Sequence, residues 1–166
     1  VTYPKCGTTL MQQIVQSLRS SGDLGFGEIC EVMPWDIVAL DCGQDLAAPQ
    51  PWSPRAFKSH EAADTVAPGG RYIYVARDPS DALYSFHKFL PAYVGLDPGD
   101  VTLEDFADAV FAGASVSGQI WHHLAGWWQR RLAEGGKKVL WVHFEDIRDG
   151  PREQVARVHD WLGLGQ

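Results

Sequence analysis

Apolar residues recur at helical spacing near the start of the chain. Leu10, Ile14 and Leu18, with Met11 and Val15 beside them, predict an amphipathic helix whose first turn begins near Thr8. Gly22 to Gly27 break that pattern. Glu28 to Gln50 then mix Pro, Gly, Trp and acids, which reads as loop with one short helical piece near Asp36 to Leu40. Pro49, Pro51 and Pro54 hold the chain extended into Arg55-Ala56-Phe57-Lys58-Ser59-His60, a short candidate strand on which Lys58 and His60 share a face. Arg71 to Ala76 is β-branched and aromatic enough to be a strand buried on both sides. Asp78 as N-cap, Pro79 at N1 and Asp81 at N3 start a helix, with Ala82, Leu83, Phe86 and Leu90 on its apolar face and a Gly/Pro-marked loop from Pro91 to Asp100. Thr102 with Asp105 resembles a capping box before Leu103, Phe106 and Val110. Val116 to Leu132 reads as a longer helix stopped by Gly135-Gly136, with Ile120, His123 or Leu124, Trp127 and Trp128 on one face. Lys138 to His143 is another strand, and Pro151 opens a last helix whose Val155, Val158, Trp161 and Leu162 point inward.

Strands and helices alternate, so the pattern predicts an α/β fold with a mainly parallel central sheet flanked by helices, where ligands sit at the carboxyl ends of strands. The 166 residues suit a single domain, 1–166. A formal net charge of -7 with scattered basic residues argues against nucleic acid as a partner. No apolar run is long enough to span a membrane, and Cys6, Cys30 and Cys42 lack a paired metal spacing. Free thiols and a soluble, cytoplasmic protein are the resulting expectations.

The candidate chemistry gathers where strands end. Thr2-Tyr3-Pro4-Lys5-Cys6-Gly7-Thr8-Thr9 precedes the first helix and has the makings of an anion cradle. Gly7 allows backbone N–H groups close to a ligand, the helix N-terminus adds partial positive charge, Lys5 adds a full one, and Thr8 and Thr9 supply hydroxyls. An ordinary capped helix is the plainer alternative. The octet is not a Walker A loop, because no Gly-Lys-Ser/Thr follows four variable residues. Lys58, His60 and Arg77 stand at the ends of the other strands, with Ser85 on the helix after Arg77. Cys6, next to Lys5 and a helix N-terminus, is expected to have a lowered pKa and a reactive thiol that a bound anion would shield.

These segments resemble the cytosolic sulfotransferase family along nearly the whole chain. Thr2 to Thr9 looks like its 5'-phosphosulfate-binding loop, Lys58-Ser59-His60 like the motif of its catalytic histidine, and Tyr74 to Pro79 with Asp81 and Ser85 like its 3'-phosphate-binding segment. Gly118 through His123 to Trp127-Trp128, and Phe144-Glu145-Asp146, are similar to further family segments. The resemblance implies a P-loop-like three-layer fold. It also implies sulfuryl transfer from 3'-phosphoadenosine 5'-phosphosulfate, the cosubstrate, to a hydroxyl or amine of a small acceptor, without a metal. His60 is then the general base, with Lys5 and Lys58 as the charge-stabilising catalytic groups. Lys5, Cys6, Gly7, Thr8, Thr9, Arg77, Ser85 and Phe144 bind the donor, and Phe89 and His123 bear on the acceptor. Pocket aromatics suggest an apolar phenol or alcohol, and a homodimer is an assembly left open.

The chain departs from the family pattern with Cys6 for a serine, Leu10 for the tryptophan that stacks on adenine, and Phe144 for a tyrosine. It ends before the family's C-terminal Arg-Lys-Gly segment and begins too late for a full first strand, so an incomplete domain is expected. Two other readings stay open: a nucleotide-binding remnant without turnover, and a P-loop kinase, which the missing Walker lysine disfavours.

Overall fold

The computed structural model describes residues 1–165. Two parallel strands form its centre, β1 (Tyr72–Ala76) and β2 (Val139–His143), in the register Tyr72 to Val139 and Ala76 to His143. Side chains of successive strand residues leave the sheet on opposite faces, and here both faces are apolar. Val75, Leu140 and Val142 point to one side, where they pack with Met11, Val15, Ile147 and Val158 from helices α1 (Thr8–Arg19), α6 (Phe144–Asp149) and α7 (Pro151–Leu162). Tyr72, Tyr74, Ala76, Val139 and Trp141 point to the other, against Trp127 of α5 (Ile120–Glu134). The result is a helix–sheet–helix layering, as expected from the alternation of elements.

The sheet is wider than its two named strands. Thr2 makes a parallel bridge to Val75, Thr2 N–H donates to the Ser59 carbonyl at 3.3 Å, and Trp35 makes a parallel bridge to Lys58. Segments at 35, 58–59, 2, 72–76 and 139–143 therefore lie side by side. The expected strand at Arg55 to His60 is present only as this bridge, because one short pairing on each side orders too few residues for a strand. The expected helix near Asp36 to Leu40 is replaced by turns, and a single turn, α2 (Ile29–Val32), forms just upstream. Trp35 is instead tied alongside Lys58, with Asp36 N–H donating to the Lys58 carbonyl at 3.0 Å and Lys58 N–H to the Pro34 carbonyl at 2.8 Å.

Other boundaries shift for local reasons. Helix α3 (Pro79–Tyr93) starts at the Asp78 cap, whose carboxylate accepts from Ser80 N–H and Asp81 N–H, but it runs through Pro91 instead of ending there. Proline costs the helix one hydrogen bond, and in the last turn that loss is small. Helix α4 (Leu103–Phe111) has the Thr102 cap expected of it, with Thr102 Oγ1 accepting from Asp105 N–H at 3.1 Å. Helix α5 begins four residues later than Val116, after a turn at Gly118 with φ 68°. On α1 the inward face is Met11 and Val15 with Gln12, Gln16 and Arg19, while Leu10 is 40% exposed. Buried Arg19 explains the rotation. Its guanidinium donates to Gln16 Oε1, Gln50 Oε1 and the carbonyls of Pro54 and Val32, so the long loop after α1 is tied to that face by four hydrogen bonds.

Candidate active site at the strand ends

The turn from Tyr3 to Gly7 is held in an unusual shape. Cys6 N–H donates to the Tyr3 carbonyl at 3.2 Å, Lys5 has φ 66° and Gly7 has φ 92°. A side chain at Gly7 would also meet the Phe144 ring at 2.6 Å, so glycine is required twice over. The Lys5 conformation, costly for a residue with a Cβ, is secured by Arg77 Nη1, which donates to the Lys5 carbonyl at 2.9 Å. After this turn α1 starts without a side-chain cap, and its first intrahelical bond runs from Met11 N–H to the Gly7 carbonyl. Among the described residues the N–H groups of Gly7, Thr8, Thr9 and Leu10 have no partner. Unpaired donors at a helix N-terminus form an anion site.

Two ammonium groups flank it, and neither forms an ion pair among the described residues. Lys5 Nζ sits 3.7 Å from the centre of the Phe89 ring and Lys58 Nζ 3.6 Å from that of Trp35. Aromatic faces hold a cation in place without neutralising it. Burial lowers the pKa of both lysines; repulsion from Arg77 lowers Lys5 further, and Lys5 acts on Lys58 in the same sense despite opposing attraction from Glu28 and Asp36. Arg77 lies against Phe144, 4.5 Å from guanidinium carbon to ring centre, and its Nε is buried without a partner. The cluster thus carries uncompensated positive charge and unused donors, the complement of a polyanion.

His60 lies edge-on to Trp35, with its Nδ1 2.8 Å from the Thr2 carbonyl oxygen. A carbonyl only accepts, so Nδ1 carries the proton and Nε2 of the neutral ring is free to take one. Burial, assisted by Lys58, pushes the His60 pKa down to about 4, so the ring is neutral at pH 7. That is well below the 6.5 of an exposed imidazole. His123, 1% exposed, uses both ring nitrogens inside the protein: Nδ1 meets the Tyr74 hydroxyl at 2.9 Å, and Nε2 faces the carbonyls of Glu61 at 3.0 Å and His60 at 3.2 Å. It braces the His60 segment and has no ring nitrogen left for a ligand.

Cys6 corrects an expectation. Its side chain is 2% exposed, packed with Tyr3, Ala82 and Ile120, and burial pushes its pKa up to about 12 although Arg77 pulls the other way. The thiol is neutral core, and only its backbone can serve the loop. Thr8 is half-buried and Thr9 exposed at the mouth of the loop, and Ser85 is half-buried in the second turn of α3. Phe144, at the start of α6, is the wall between Gly7 and Arg77. Phe89 is 45% exposed and stacks on Tyr93 beside Lys5. Lys5, Lys58, His60 and Arg77 lie near one another around the loop. Three contributors were missed: Trp35 under Lys58, the Thr2 carbonyl under His60, and Glu145, whose Oε1 accepts from Asp78 N–H at 3.1 Å and ties α6 to the start of α3. Thr2 and Glu145 had a signal in the sequence, the one its place at the head of the loop and the other its place in Phe144-Glu145-Asp146, and Trp35 had none.

The strand ends of this layered α/β domain thus carry an anion cradle, unpaired cations and a neutral imidazole side by side. The chain belongs to the sulfotransferase domain family, whose model it matches over residues 1–166. It is 29% identical to human sulfotransferase 1C2 over 98% of its own length and 57% of that protein. Against cytosolic sulfotransferase 13 of Arabidopsis thaliana the identity is 27%, over 98% of this chain and 52% of the relative. Among solved structures it is similar to retinol dehydratase in complex with androsterone and the inactive cofactor PAP, with TM-score 0.78 at 20% identity over 98% of this chain and 58% of that one. Mouse sulfotransferase SULT7A1 complexed with PAP gives 0.73 at 19% identity over 99% and 57%. These likenesses show the fold, and the chain spans a little over half the length of the curated relatives it matches.

Proposed function

We infer that the protein transfers a sulfuryl group from 3'-phosphoadenosine 5'-phosphosulfate to a hydroxyl or amine of a small acceptor. The observation that carries this reading is the pairing of two uncompensated ammonium groups, Lys5 and Lys58, with a histidine whose only free nitrogen is a proton acceptor. Membership of the family and the relatives' names support it. When bound, the donor supplies an activated sulfuryl group on a phosphate leaving group. The N–H groups of Gly7 to Leu10 and the hydroxyls of Thr8 and Thr9 would hold its 5'-phosphate, with Cys6 contributing backbone alone. Arg77 and Ser85 would hold the 3'-phosphate, the buried Arg77 Nε being the donor still without a partner. Phe144 would set the spacing between these two sets of groups.

His60 Nε2 takes the acceptor's proton as its oxygen or nitrogen attacks, an effect worth about 10²- to 10⁴-fold. Lys5 and Lys58 stabilise negative charge on the transferring group and on the departing phosphate oxygen. Both are held on aromatic faces without a counter-ion among the described residues, placed to meet that charge. Phe89 with Tyr93 offers an apolar wall beside Lys5, which suits a phenol or an apolar alcohol as acceptor. His123 serves the acceptor side by fixing the His60 segment. The test is transfer of labelled sulfate from the donor to a phenol panel by wild type and His60→Gln. Wild-type turnover with a loss of at least a hundredfold in the variant, at unchanged donor affinity, is expected. Equal turnover by both would remove His60 from its role.

A further inference from the structure

Thr2 enters the mechanism above only through its carbonyl, yet its side chain is 1% exposed and lies between the two halves of the site. Thr2 Oγ1 is hydrogen-bonded to Thr8 Oγ1 and stands 3.3 Å from His60 Nδ1. The direction of each bond follows from the Thr2 carbonyl and from the burial of the Thr2 hydroxyl. Because the Thr2 carbonyl at 2.8 Å can only accept, His60 Nδ1 carries a proton. Thr2 Oγ1 can then only accept from that nitrogen, and Thr8 Oγ1 is the one acceptor its own proton meets among the described residues, so a hydroxyl this buried is satisfied as a donor only by donating there. Thr8 accepts, so its own proton is free, in the first helical turn among N–H groups that lack partners. All the bonds point from the imidazole toward the anion loop.

We propose that the Thr2 hydroxyl is a positioning group which links His60 to the donor's 5'-phosphate site through Thr8, so that an occupied loop sets the imidazole for proton removal. This rests on His60 as the base and the loop as the donor's anion site. During transfer the acceptor O–H bond breaks and a bond from its hydrogen to Nε2 forms. The acceptor oxygen forms its bond to sulfur, and the electron pair of the broken sulfur–oxygen bond leaves on the phosphate oxygen. Positive charge thus grows on the imidazole, making Nδ1–H a stronger donor, while negative charge grows at the loop. Both changes polarise the Thr2–Thr8 chain in the direction it already has, and bonds in series strengthen one another. No proton travels along it.

The test is nitrogen NMR of ¹⁵N-histidine-labelled protein, titrated with adenosine 3',5'-bisphosphate, together with steady-state kinetics. In wild type the bisphosphate moves the His60 Nδ1 resonance. In Thr2→Val it binds within about threefold of wild-type affinity, the Nδ1 response is lost, and kcat falls about tenfold at unchanged donor KM. Thr2→Ser restores the response and the rate. Thr8→Val cuts the same chain at its other end and serves if valine at position 2 prevents folding; His60 should then fail to respond even at saturating bisphosphate. A Thr2→Val protein with wild-type kcat and a wild-type Nδ1 response overturns the proposal. So does one that loses affinity but keeps the response at saturation, since Thr2 would then merely support the loop. Failure of the underlying reading looks different: His60→Gln retains turnover, or wild type binds no bisphosphate, and the relay falls with it. An inactive His60→Gln beside an unaffected Thr2→Val removes the relay alone.

Discussion

A thiol beside a helix N-terminus and two cations would ordinarily ionise with ease, and Cys6 stays neutral because its sulfur faces Tyr3, Ala82 and Ile120 instead of the loop. Alkylation followed by mass spectrometry should therefore label exposed Cys42 first, half-buried Cys30 next and Cys6 last in the folded protein. Modification of Cys6 ahead of the others would show that the Tyr3–Gly7 turn opens in solution. Arg77 has two tasks, a fold contact to the Lys5 carbonyl and an unspent Nε. Arg77→Ala should weaken donor binding by about 2 to 5 kcal/mol, read by calorimetry. A variant that binds nucleotides with and without a 3'-phosphate equally well, as wild type does also, would take that phosphate away from Arg77. At this scale the sequence was informative about charge and silent about direction. Lys5, Lys58, His60 and Arg77 were legible as strand-end polar residues, because strand patterns are local. Which way Cys6 turns depends on Ala82 and Ile120, far along the chain, and the tautomer of His60 depends on a carbonyl at position 2.

The elements that formed as expected carry their own signals. β1 is Tyr-Ile-Tyr-Val-Ala, α3 has Asp78 with Pro79 at its start, and α4 has Thr102 with Asp105. Those that moved were settled by distant partners: Trp35 bridges Lys58 just before the turns that replace the expected helix, and Arg19 turns α1 so that Leu10 faces out. The loop before α1 is the element on which function depends most, and Gly7 is its narrowest point. Gly7→Ala would place a Cβ at φ 92°, 2.6 Å from the Phe144 ring. Left-handed strain of about 1 to 3 kcal/mol adds to that clash, so the melting temperature should drop and bisphosphate affinity should fall at least about tenfold. Phe144→Leu in the Gly7→Ala background should recover part of the stability, since a smaller side chain yields to the methyl. No recovery would mean that backbone strain alone sets the cost.

Stability of the whole molecule is coupled to its buried imidazoles. His60 and His123 are each held near 4 by burial, below the 6.5 of an exposed histidine. Unfolding returns both to the ordinary value, so between about pH 6.5 and 4 the unfolded chain binds more protons than the folded one. Stability then declines as pH falls through that window, by up to about 1.4 kcal/mol per pH unit for each ring. Urea midpoints measured at pH 7 and pH 5 should differ accordingly, and identical midpoints would mean that the rings are solvated. The sheet itself carries a different consequence. Its neighbours, in order across it, come from residues 35, 58–59, 2, 72–76 and 139–143. Thr2 is synthesised before both its flanks, Ser59 and Val75, and Val75 itself waits for Val142. Vectorial synthesis therefore leaves the anion loop unpaired until those later segments have followed it, with the slow refolding typical of sheets that join distant segments.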